Sequence, residues 1–276
     1  MNWRVGHGEV IELGASAHLM GILNVTPDSF SDGGRYLDPA AAVEQAHRLV
    51  EAGATIVDIG GESTRPGAEP VEAEEEQRRV LPVIRALAGS GIVLSIDTYR
   101  ASTARAAVEA GAHIVNDVWG AQREPEIAMV AAETGAGLCL MHSSRDRDTL
   151  PDPISDQVAF LTRSLEIAAE AGVRDEAIVL DPGFGFGKGP AENFALMRRF
   201  GELTAVFRHP WLIGTSRKRF IRQAVGEGGD TDIGTAATSV ILRLSGASIF
   251  RVHDVGANRH ALAVADAVLA APERSI

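Results

Sequence analysis

The segment Glu51–Gly60, EAGATIVDIG, contains the unit that repeats along the chain and decides its fold. Its first residues end a helical stretch, and Gly53 stands where a left-handed glycine closes the last turn of a helix. The apolar run that follows does not alternate with polar residues, which is typical of a strand buried on both faces. The same order of helix end, glycine and apolar run recurs at Gly111, Gly135, Gly172 and Gly246.

Collecting such apolar runs predicts eight strands, which are Leu19–Leu23, Ile56–Ile59, Ile92–Ile96, His113–Val115, Leu138–Met141, Ile178–Leu180, Trp211–Ile213 and Ile249–Val252. Amphipathic helical stretches lie between them. Strands that alternate with helices form a parallel sheet, and eight repeats favour closure into a (β/α)8 TIM barrel. We therefore predict an α/β protein with a single domain over residues 1–276. A short N-terminal β-hairpin, within residues 1–17, is expected to close the floor of a barrel at residues 18–272.

Composition narrows the possible functions. The chain has 276 residues, close to the usual size of such a barrel, and contains no apolar run long enough to cross a membrane. Its start lacks the apolar core of a secretory signal, and its single cysteine, Cys139, cannot form an internal disulfide, so we expect a cytoplasmic protein. A net charge of −11 argues against binding nucleic acid through the general surface. An anionic substrate then needs a local basic cluster, for which residues 217–222 are the candidate.

A polar residue follows every predicted strand, and the carboxyl ends of barrel strands are where barrel enzymes carry their chemistry. A single aspartate at a strand end is equally well explained as the cap of the next helix. Helix capping does not account for polar residues at all eight ends. Among these residues we assign no chemical role to Asp58 or His142.

Two loops rich in glycine, proline and hydroxyl groups follow the first two barrel strands. They are TPDSFSDGG at residues 26–34 and GGESTRPG at residues 60–67. Turn chemistry explains their small residues but not Phe30 or Arg65, so we expect both loops to close over a ligand. A third glycine-rich stretch, residues 183–189, matches neither the Walker nor the dinucleotide-binding pattern and is interpreted as a flexible loop over the mouth.

The predicted mouth has two chemically different halves. Asp97, Asn116 and Asp181 match a flat heterocycle with several N–H donors, because a carboxylate that faces adjacent N–H groups makes a paired, charge-assisted contact. The other half suits phosphate or diphosphate and contains Asn24, Thr64, Lys218, Arg251 and His253. The amide oxygen of Asn24 is a suitable ligand for a Mg2+ ion that also takes oxygens from the substrate.

Eight segments, read in order, resemble those of the dihydropteroate synthase family. They are GILNVTPDSFSDGG, VDIGGESTRPG, SIDTYR, IVNDVWG, LMHS, LDPGFGFGK, LIGTSRKRF and FRVHDV, and they extend from about residue 19 to residue 254. The resemblance implies a TIM-barrel transferase of folate biosynthesis. Such an enzyme condenses 6-hydroxymethyl-7,8-dihydropterin diphosphate with p-aminobenzoate, is inhibited by sulfonamides and forms a homodimer.

The resemblance also implies roles for individual residues. The pterin would be held by Asp97, Asn116, Asp181 and Lys218, with Arg251 stacked against it. The diphosphate would contact Thr64, Arg251 and His253, and Asn24 would bind Mg2+. The p-aminobenzoate site would be completed by the loop residues Phe30, Asp32, Arg65 and Pro66. The implied catalytic set is Asp32, Thr64, Lys218, Arg251 and His253.

The charges of the predicted site favour a dissociative, SN1-like reaction. Negative charge develops on the departing diphosphate, where Mg2+, Arg251 and His253 would stabilise it. The electron-rich pterin would stabilise positive charge on its methylene carbon until the aniline nitrogen attacks. Two other functions stay open from the sequence. One is a pterin-binding methyltransferase module, which would not need the diphosphate residues, and the other is a non-catalytic pterin-binding paralogue.

Overall fold

Eight parallel strands form a barrel in the computed structural model, which describes residues 1–26, 38–63 and 71–272. A hairpin of β1 (Asn2–Arg4) and β2 (Val10–Glu12) precedes it. The barrel strands are β3 (His18–Asn24), β4 (Ile56–Gly60), β5 (Val93–Asp97), β6 (Ile114–Asp117), β7 (Gly137–Met141), β8 (Ile178–Asp181), β9 (Leu212–Ile213) and β10 (Ile249–Val252). Strands β3 to β8 pair in chain order, and β10 lies between β3 and β9. A bridge between Leu180 and Trp211 closes the ring.

Each predicted strand is confirmed to within two residues at either end, and helices separate the strands. The helices are α1 (Pro39–Ala52), α2 (Ala73–Leu87), α3 (Ala101–Ala110), α4 (Glu126–Thr134), α5 (Pro153–Glu170), α6 (Pro190–Arg198), α7 (Phe200–Val206), α8 (Arg219–Val225), α9 (Thr231–Leu244) and α10 (Val255–Ala270). The predicted glycine caps are also confirmed, since Gly53, Gly111 and Gly135 have φ angles of 115°, 122° and 70°. Among the helices within the three described ranges, none is long and apolar enough to cross a membrane.

The floor of the barrel is a layer of apolar side chains, one from each strand. Its members are Met20, Ile56, Val93, Ile114, Cys139, Val179, Leu212 and Ile249. The hairpin covers this layer with Trp3 and Ile11, as predicted. Trp3 is fully buried, and its Nε1 donates to the carbonyl of Ala177 at 2.9 Å.

Because side chains alternate along a strand, the next inward residue lies two positions further toward the mouth. This step changes the barrel interior from apolar to polar. On β4 the residue above Ile56 is Asp58, and on β10 the residue above Ile249 is Arg251. The hairpin and the apolar floor therefore seal one end of the barrel, and the polar groups collect at the other.

Candidate active site

The polar residues of the mouth lie side by side because of the strand register. Asn24 on β3 is aligned with Gly60 on β4, Gly60 with Asp97 on β5, and Asp97 with Asn116 on β6. Parallel strands bring their carboxyl ends to the same side of a barrel, so this row faces the mouth.

The side chain of Arg251 joins two buried carboxylates. Its Nε donates to Asp58 Oδ2 at 2.6 Å, and its Nη2 donates to Asp97 Oδ2 at 2.6 Å. Asn116 Nδ2 also donates to Asp58 Oδ2, at 3.1 Å. Asp58 is fully buried and orients both Arg251 and Asn116, which corrects the expectation that it has no role. Its position on the inward face, two residues above Ile56, is the signal that identifies it.

The charged groups of this cluster are buried from solvent, which changes their pKa values. Burial raises the pKa of Asp97 to about 7, while the Arg251 guanidinium opposes the rise and the Asp58 carboxylate adds to it. Burial by itself lowers the pKa of Arg251, but the two carboxylates outweigh burial and raise that pKa above its ordinary value. Arg251 is therefore a permanent cation, whereas the charge of Asp97 responds to pH near neutrality.

Asp181 ends β8, and Lys218 follows β9, the strand that pairs with the Arg251 strand β10. Asp181 Oδ1 accepts a hydrogen bond from the N–H of Gly183 at 2.7 Å. Lys218 Nζ donates to the carbonyl of Phe184 and lies 4.0 Å from the ring centre of Phe186. Burial lowers the pKa of Lys218 to about 7, and the Asp181 carboxylate acts against this fall. Burial likewise raises the pKa of Asp181, against the hydrogen bond from Gly183.

Glycines leave room beside both carboxylates. A Cβ atom at Gly60 would lie 3.7 Å from Asp97 Oδ2, and a Cβ atom at Gly214 would lie 3.6 Å from Asp181 Oδ2. An apolar cluster lines the neighbouring strand ends and contains Val118, Met141 and Phe186. A flat ring with polar edges fits such a surface, because its faces meet apolar side chains while its edges meet acceptors.

The alternative explanation of these carboxylates as helix caps does not hold for Asp97 or Asp181. The residue that caps α3 is Arg100, and the residue that caps α6 is Gly189. Capping does explain Asp254, whose side chain accepts from the N–H of Ala257 at the start of α10.

His253 lies beside Ser216 from the loop after β9. The Ser216 hydroxyl oxygen accepts the backbone N–H of His253 at 3.1 Å and lies 2.8 Å from its Nδ1. The hydroxyl oxygen has two lone pairs, so the tautomer of the His253 ring decides which group donates in the contact with Nδ1. The sequence does not predict this contact, since nothing local connects Ser216 with a residue 37 positions away.

The mouth contains side-chain oxygens of the kind that a magnesium ion binds. Within the described ranges, no three His, Cys, Asp or Glu side chains are grouped so that they could hold a metal. Asn24 Oδ1 and Asp97 Oδ2 both lie within 4 Å of the point where a Cβ atom of Gly60 would stand. Mg2+ commonly takes one or two protein oxygens and completes its shell with water and phosphate oxygens, which agrees with so sparse a set.

Of the predicted site residues, the structure brings seven to the mouth: Asn24, Asp97, Asn116, Asp181, Lys218, Arg251 and His253. The other five lie outside the described residues: Phe30, Asp32, Thr64, Arg65 and Pro66. The described residues Thr26 and Ser63 follow the carboxyl ends of β3 and β4.

Residues 20–253 match the sequence profile of a family described as pterin binding enzyme. The chain belongs to the pterin-binding enzymes. This pterin-binding enzyme is 48% identical over 242 residues to dihydropteroate synthase from Bacillus subtilis, across 86% of this chain and 83% of the relative. A structure of Xanthomonas albilineans dihydropteroate synthase with 4-aminobenzoic acid matches it with a TM-score of 0.90 and 40% identity, covering 99% of this chain and 100% of that chain. Yersinia pestis dihydropteroate synthase in complex with a sulfonamide drug matches with a TM-score of 0.88 and 39% identity, covering 99% and 100%.

Proposed function

We propose that this pterin-binding enzyme is a dihydropteroate synthase. It condenses 6-hydroxymethyl-7,8-dihydropterin diphosphate with p-aminobenzoate to give 7,8-dihydropteroate and diphosphate. The observation that carries the proposal is the pairing of two different half-sites in one mouth. Acceptors for a heterocycle on Asp97, Asn116 and Asp181 share the opening with the donors Arg251 and His253.

The heterocycle half would bind the pterin through its edges. Asn116 uses its Nδ2 to reach Asp58, so its Oδ1 is the atom left to accept a pterin N–H. Asp97 and Asp181 accept further N–H groups, and Lys218 donates to the acceptors of the ring. Arg251, held by the carboxylates of Asp58 and Asp97, packs its guanidinium against the ring face.

The cationic half would bind the diphosphate. Arg251 and the ring of His253 contact its oxygens, and Thr64 adds a hydroxyl donor. Asn24, together with oxygens of the substrate, would hold Mg2+, whose charge favours negative charge on the leaving group. Negative charge increases on the diphosphate oxygens as the C–O bond breaks, and these donors contact those oxygens. They therefore stabilise the transition state more than the bound substrate, which lowers the activation barrier.

The reaction we propose is dissociative. The C–O bond of the pterin methylene breaks, and its electron pair leaves with the diphosphate, beside Arg251 and His253. The aniline nitrogen of p-aminobenzoate then attacks the methylene carbon, and the proton that it loses leaves with the diphosphate. The loop residues Phe30, Asp32, Arg65 and Pro66 would hold p-aminobenzoate and exclude water from the cation.

A direct assay tests the function. The purified protein with both substrates and Mg2+ should form dihydropteroate and diphosphate in equal amounts, and only when p-aminobenzoate is present. A methyltransferase module or a non-catalytic paralogue would form neither product. Asp181→Asn and Lys218→Ala should each lower kcat/KM for the pterin substrate by roughly tenfold to a hundredfold, because each removes a charged hydrogen-bonding group. The exposed Asp148→Asn is the matched control and should retain full activity.

Isotope exchange tests the order of bond breaking. With the bridging oxygen of the pterin diphosphate labelled and p-aminobenzoate omitted, a dissociative step scrambles the label into non-bridging positions. An active enzyme that shows no scrambling would instead use a concerted displacement.

We also propose that the protein is a homodimer joined through α9 and α10. These helices pack on each other and expose apolar side chains, among them Ile233, Ile241, Val264 and Val268. An exposed apolar surface of this kind is typical of a subunit interface. Light scattering should give twice the chain mass, and Val264→Glu with Val268→Glu should give a monomer. Val206→Glu, exposed on α7, is the control and should leave the dimer intact.

Sulfonamides should inhibit the enzyme as analogues of p-aminobenzoate. Inhibition should raise the KM for p-aminobenzoate without raising the KM for the pterin substrate, and growth that depends on this enzyme should stop in the presence of the drug. Unchanged growth would contradict this expectation.

We place the enzyme in the cytoplasm, in keeping with the buried free thiol of Cys139.

A further inference from the structure

Lys188, at the end of the glycine-rich stretch of residues 183–189, is a buried lysine outside the site described above, and burial lowers its pKa to about 7. Its Nζ donates to the carbonyl of Gly183 at 2.9 Å and lies 2.8 Å from Nδ1 of His142. A weaker contact of 3.5 Å reaches the carbonyl of Phe186. A lysine buried to this extent loses much hydration energy, so the fold must compensate for its charge.

Gly183 connects this lysine with the mouth. The N–H of Gly183 donates to Asp181 Oδ1 at 2.7 Å, while its carbonyl accepts from Lys188. Its φ angle is +62°, and a Cβ atom there would lie 1.8 Å from the carbonyl oxygen of His142, so only glycine fits. Asp181 and Lys188 therefore hold the two peptide groups on either side of one left-handed residue.

A chain of hydrogen bonds holds Lys188 in place from the other side. His142 Nε2 lies 2.8 Å from Asp156 Oδ2, and the N–H of Leu150 donates to Asp156 Oδ1 at 2.8 Å. Arg147 Nη1 donates to the same Oδ1 at 3.0 Å. Burial lowers the pKa of His142 to about 4, so the ring is neutral. Its Nε2 faces Asp156 Oδ2 and also Arg147 Nη2 at 2.9 Å, and its Nδ1 faces the amine of Lys188.

Lys188 also acts on Asp181 through its charge. Burial raises the pKa of Asp181, and the groups that oppose this rise are the Gly183 N–H, Lys218, Arg251 and Lys188. Of the three cations in this set, Arg251 and Lys218 are proposed to touch the substrate, whereas Lys188 contacts only the carbonyls of Gly183 and Phe186 and the ring of His142 among the contacts described above.

We propose that Lys188 is a positioning residue for Asp181, held by His142 and Asp156, which fixes the Gly183 peptides so that the carboxylate meets the pterin. The inference rests on the proposed function. The stretch of residues 183–189 and His142 then have a role in positioning Asp181, which the sequence does not predict for either. This role also explains why a lysine is buried in a glycine-rich stretch that matches no nucleotide-binding sequence pattern.

Lys188→Met tests the inference, because it removes the donor and the charge while retaining the length of the side chain. We expect the Kd for 6-hydroxymethyl-7,8-dihydropterin to rise by at least about tenfold, which corresponds to the loss of one charged hydrogen bond. The KM for p-aminobenzoate should stay within about twofold of the wild-type value. Amide hydrogen exchange at Gly183 should become faster, and exchange in β4 should not. Lys188→Arg, which restores a cation and its donors, should recover part of the affinity.

A double-mutant cycle separates positioning from a general loss of structure. In an Asp181→Ala background, Lys188→Met should raise the Kd by less than about threefold, since its target is gone. In an Asn116→Ala background it should keep its full effect. If Lys188→Met does not fold, His142→Gln replaces it in the same cycle, with a smaller expected rise.

Two results would overturn the inference: equal effects of Lys188→Met with and without Asp181, or a Kd for the variant within about twofold of the wild type. A wild-type protein that neither binds the pterin nor forms dihydropteroate would refute the proposed function instead, so the two failures are distinguishable.

Discussion

Replacing Asp58 with asparagine should shift the pH dependence of pterin binding. Asp58 contacts Arg251 and Asn116 but is not proposed to touch the substrate. Its carboxylate raises the pKa of Asp97 and competes with Asp97 for the Arg251 guanidinium. Asp58→Asn removes both effects and leaves a side chain of the same shape, so the pKa of Asp97 should fall.

The size of this shift follows from the geometry. With the two carboxylates roughly 5 Å apart across one guanidinium, Coulomb's law at an effective dielectric constant of about 20 gives about 3 kcal/mol. That energy corresponds to about two pKa units, and partial screening by the shared Arg251 reduces the expected fall to about one to two units. In the variant, Arg251 donates to a neutral amide oxygen at position 58 instead of a carboxylate. This weaker hydrogen bond lowers the free energy of unfolding by about 1 kcal/mol.

The sign of the effect on binding is clear from the protonation states. The pterin N–H groups need an ionised Asp97, whose pKa of about 7 produces the acid limb of the binding curve. The ammonium of Lys218, with a pKa lowered to about 7, produces the alkaline limb. Affinity in the wild type should therefore rise and then fall with pH. Asp58→Asn should move the acid limb to lower pH by about one to two units and leave the alkaline limb in place.

Calorimetric titration of 6-hydroxymethyl-7,8-dihydropterin between pH 5 and 9 measures both limbs, and this ligand has no diphosphate that titrates in the range. Asp117→Asn is the matched control, because Asp117 is equally buried and raises the pKa of Asp97 less than Asp58 does. Its acid limb should stay close to that of the wild type. An acid limb that does not move in Asp58→Asn, or that moves to higher pH, would refute the account of the Asp58–Arg251–Asp97 cluster.

Three further outcomes are expected. Trp3→Ala should lower the free energy of unfolding by about 3–5 kcal/mol in urea denaturation, because it empties the plug of the barrel floor, while kcat at 25 °C should change little. Arg100→Ala should also lower the free energy of unfolding by about 3–5 kcal/mol, since Arg100 pairs with Glu62 at 2.6 Å and with the buried Glu76 at 3.2 Å. Adding Glu76→Gln should recover part of this loss, and no recovery would contradict the pairing. Cys139 is fully buried with a pKa raised well above its usual value by burial, so a thiol reagent should label it only as fast as the protein unfolds; rapid labelling of the native protein would contradict its place in the floor.

The sequence by itself determined the fold and the side of the barrel that carries chemistry. Glycine at a helix end and a non-alternating apolar run are local features, and each acts on a few neighbouring residues. The unit occurs five times, and together with the remaining apolar runs it predicts all eight strands to within two residues. The polar residues that follow the strands then belong to one mouth for topological reasons, so Asp97, Asn116 and Asp181 could be grouped before any distance was known.

Only the tertiary structure decided which of these side chains contact one another. The bond between Arg251 and Asp58 joins residues 193 positions apart, and the bond between Lys188 and His142 joins residues 46 positions apart. Asp58 looked like one more strand-end acid, and His142 like a histidine without a function. Neither contact has a local signature, because closure of the barrel sets the distances across its mouth. A buried charge without a partner costs several kcal/mol of desolvation free energy, so each charge in the mouth is paired only once the fold has formed.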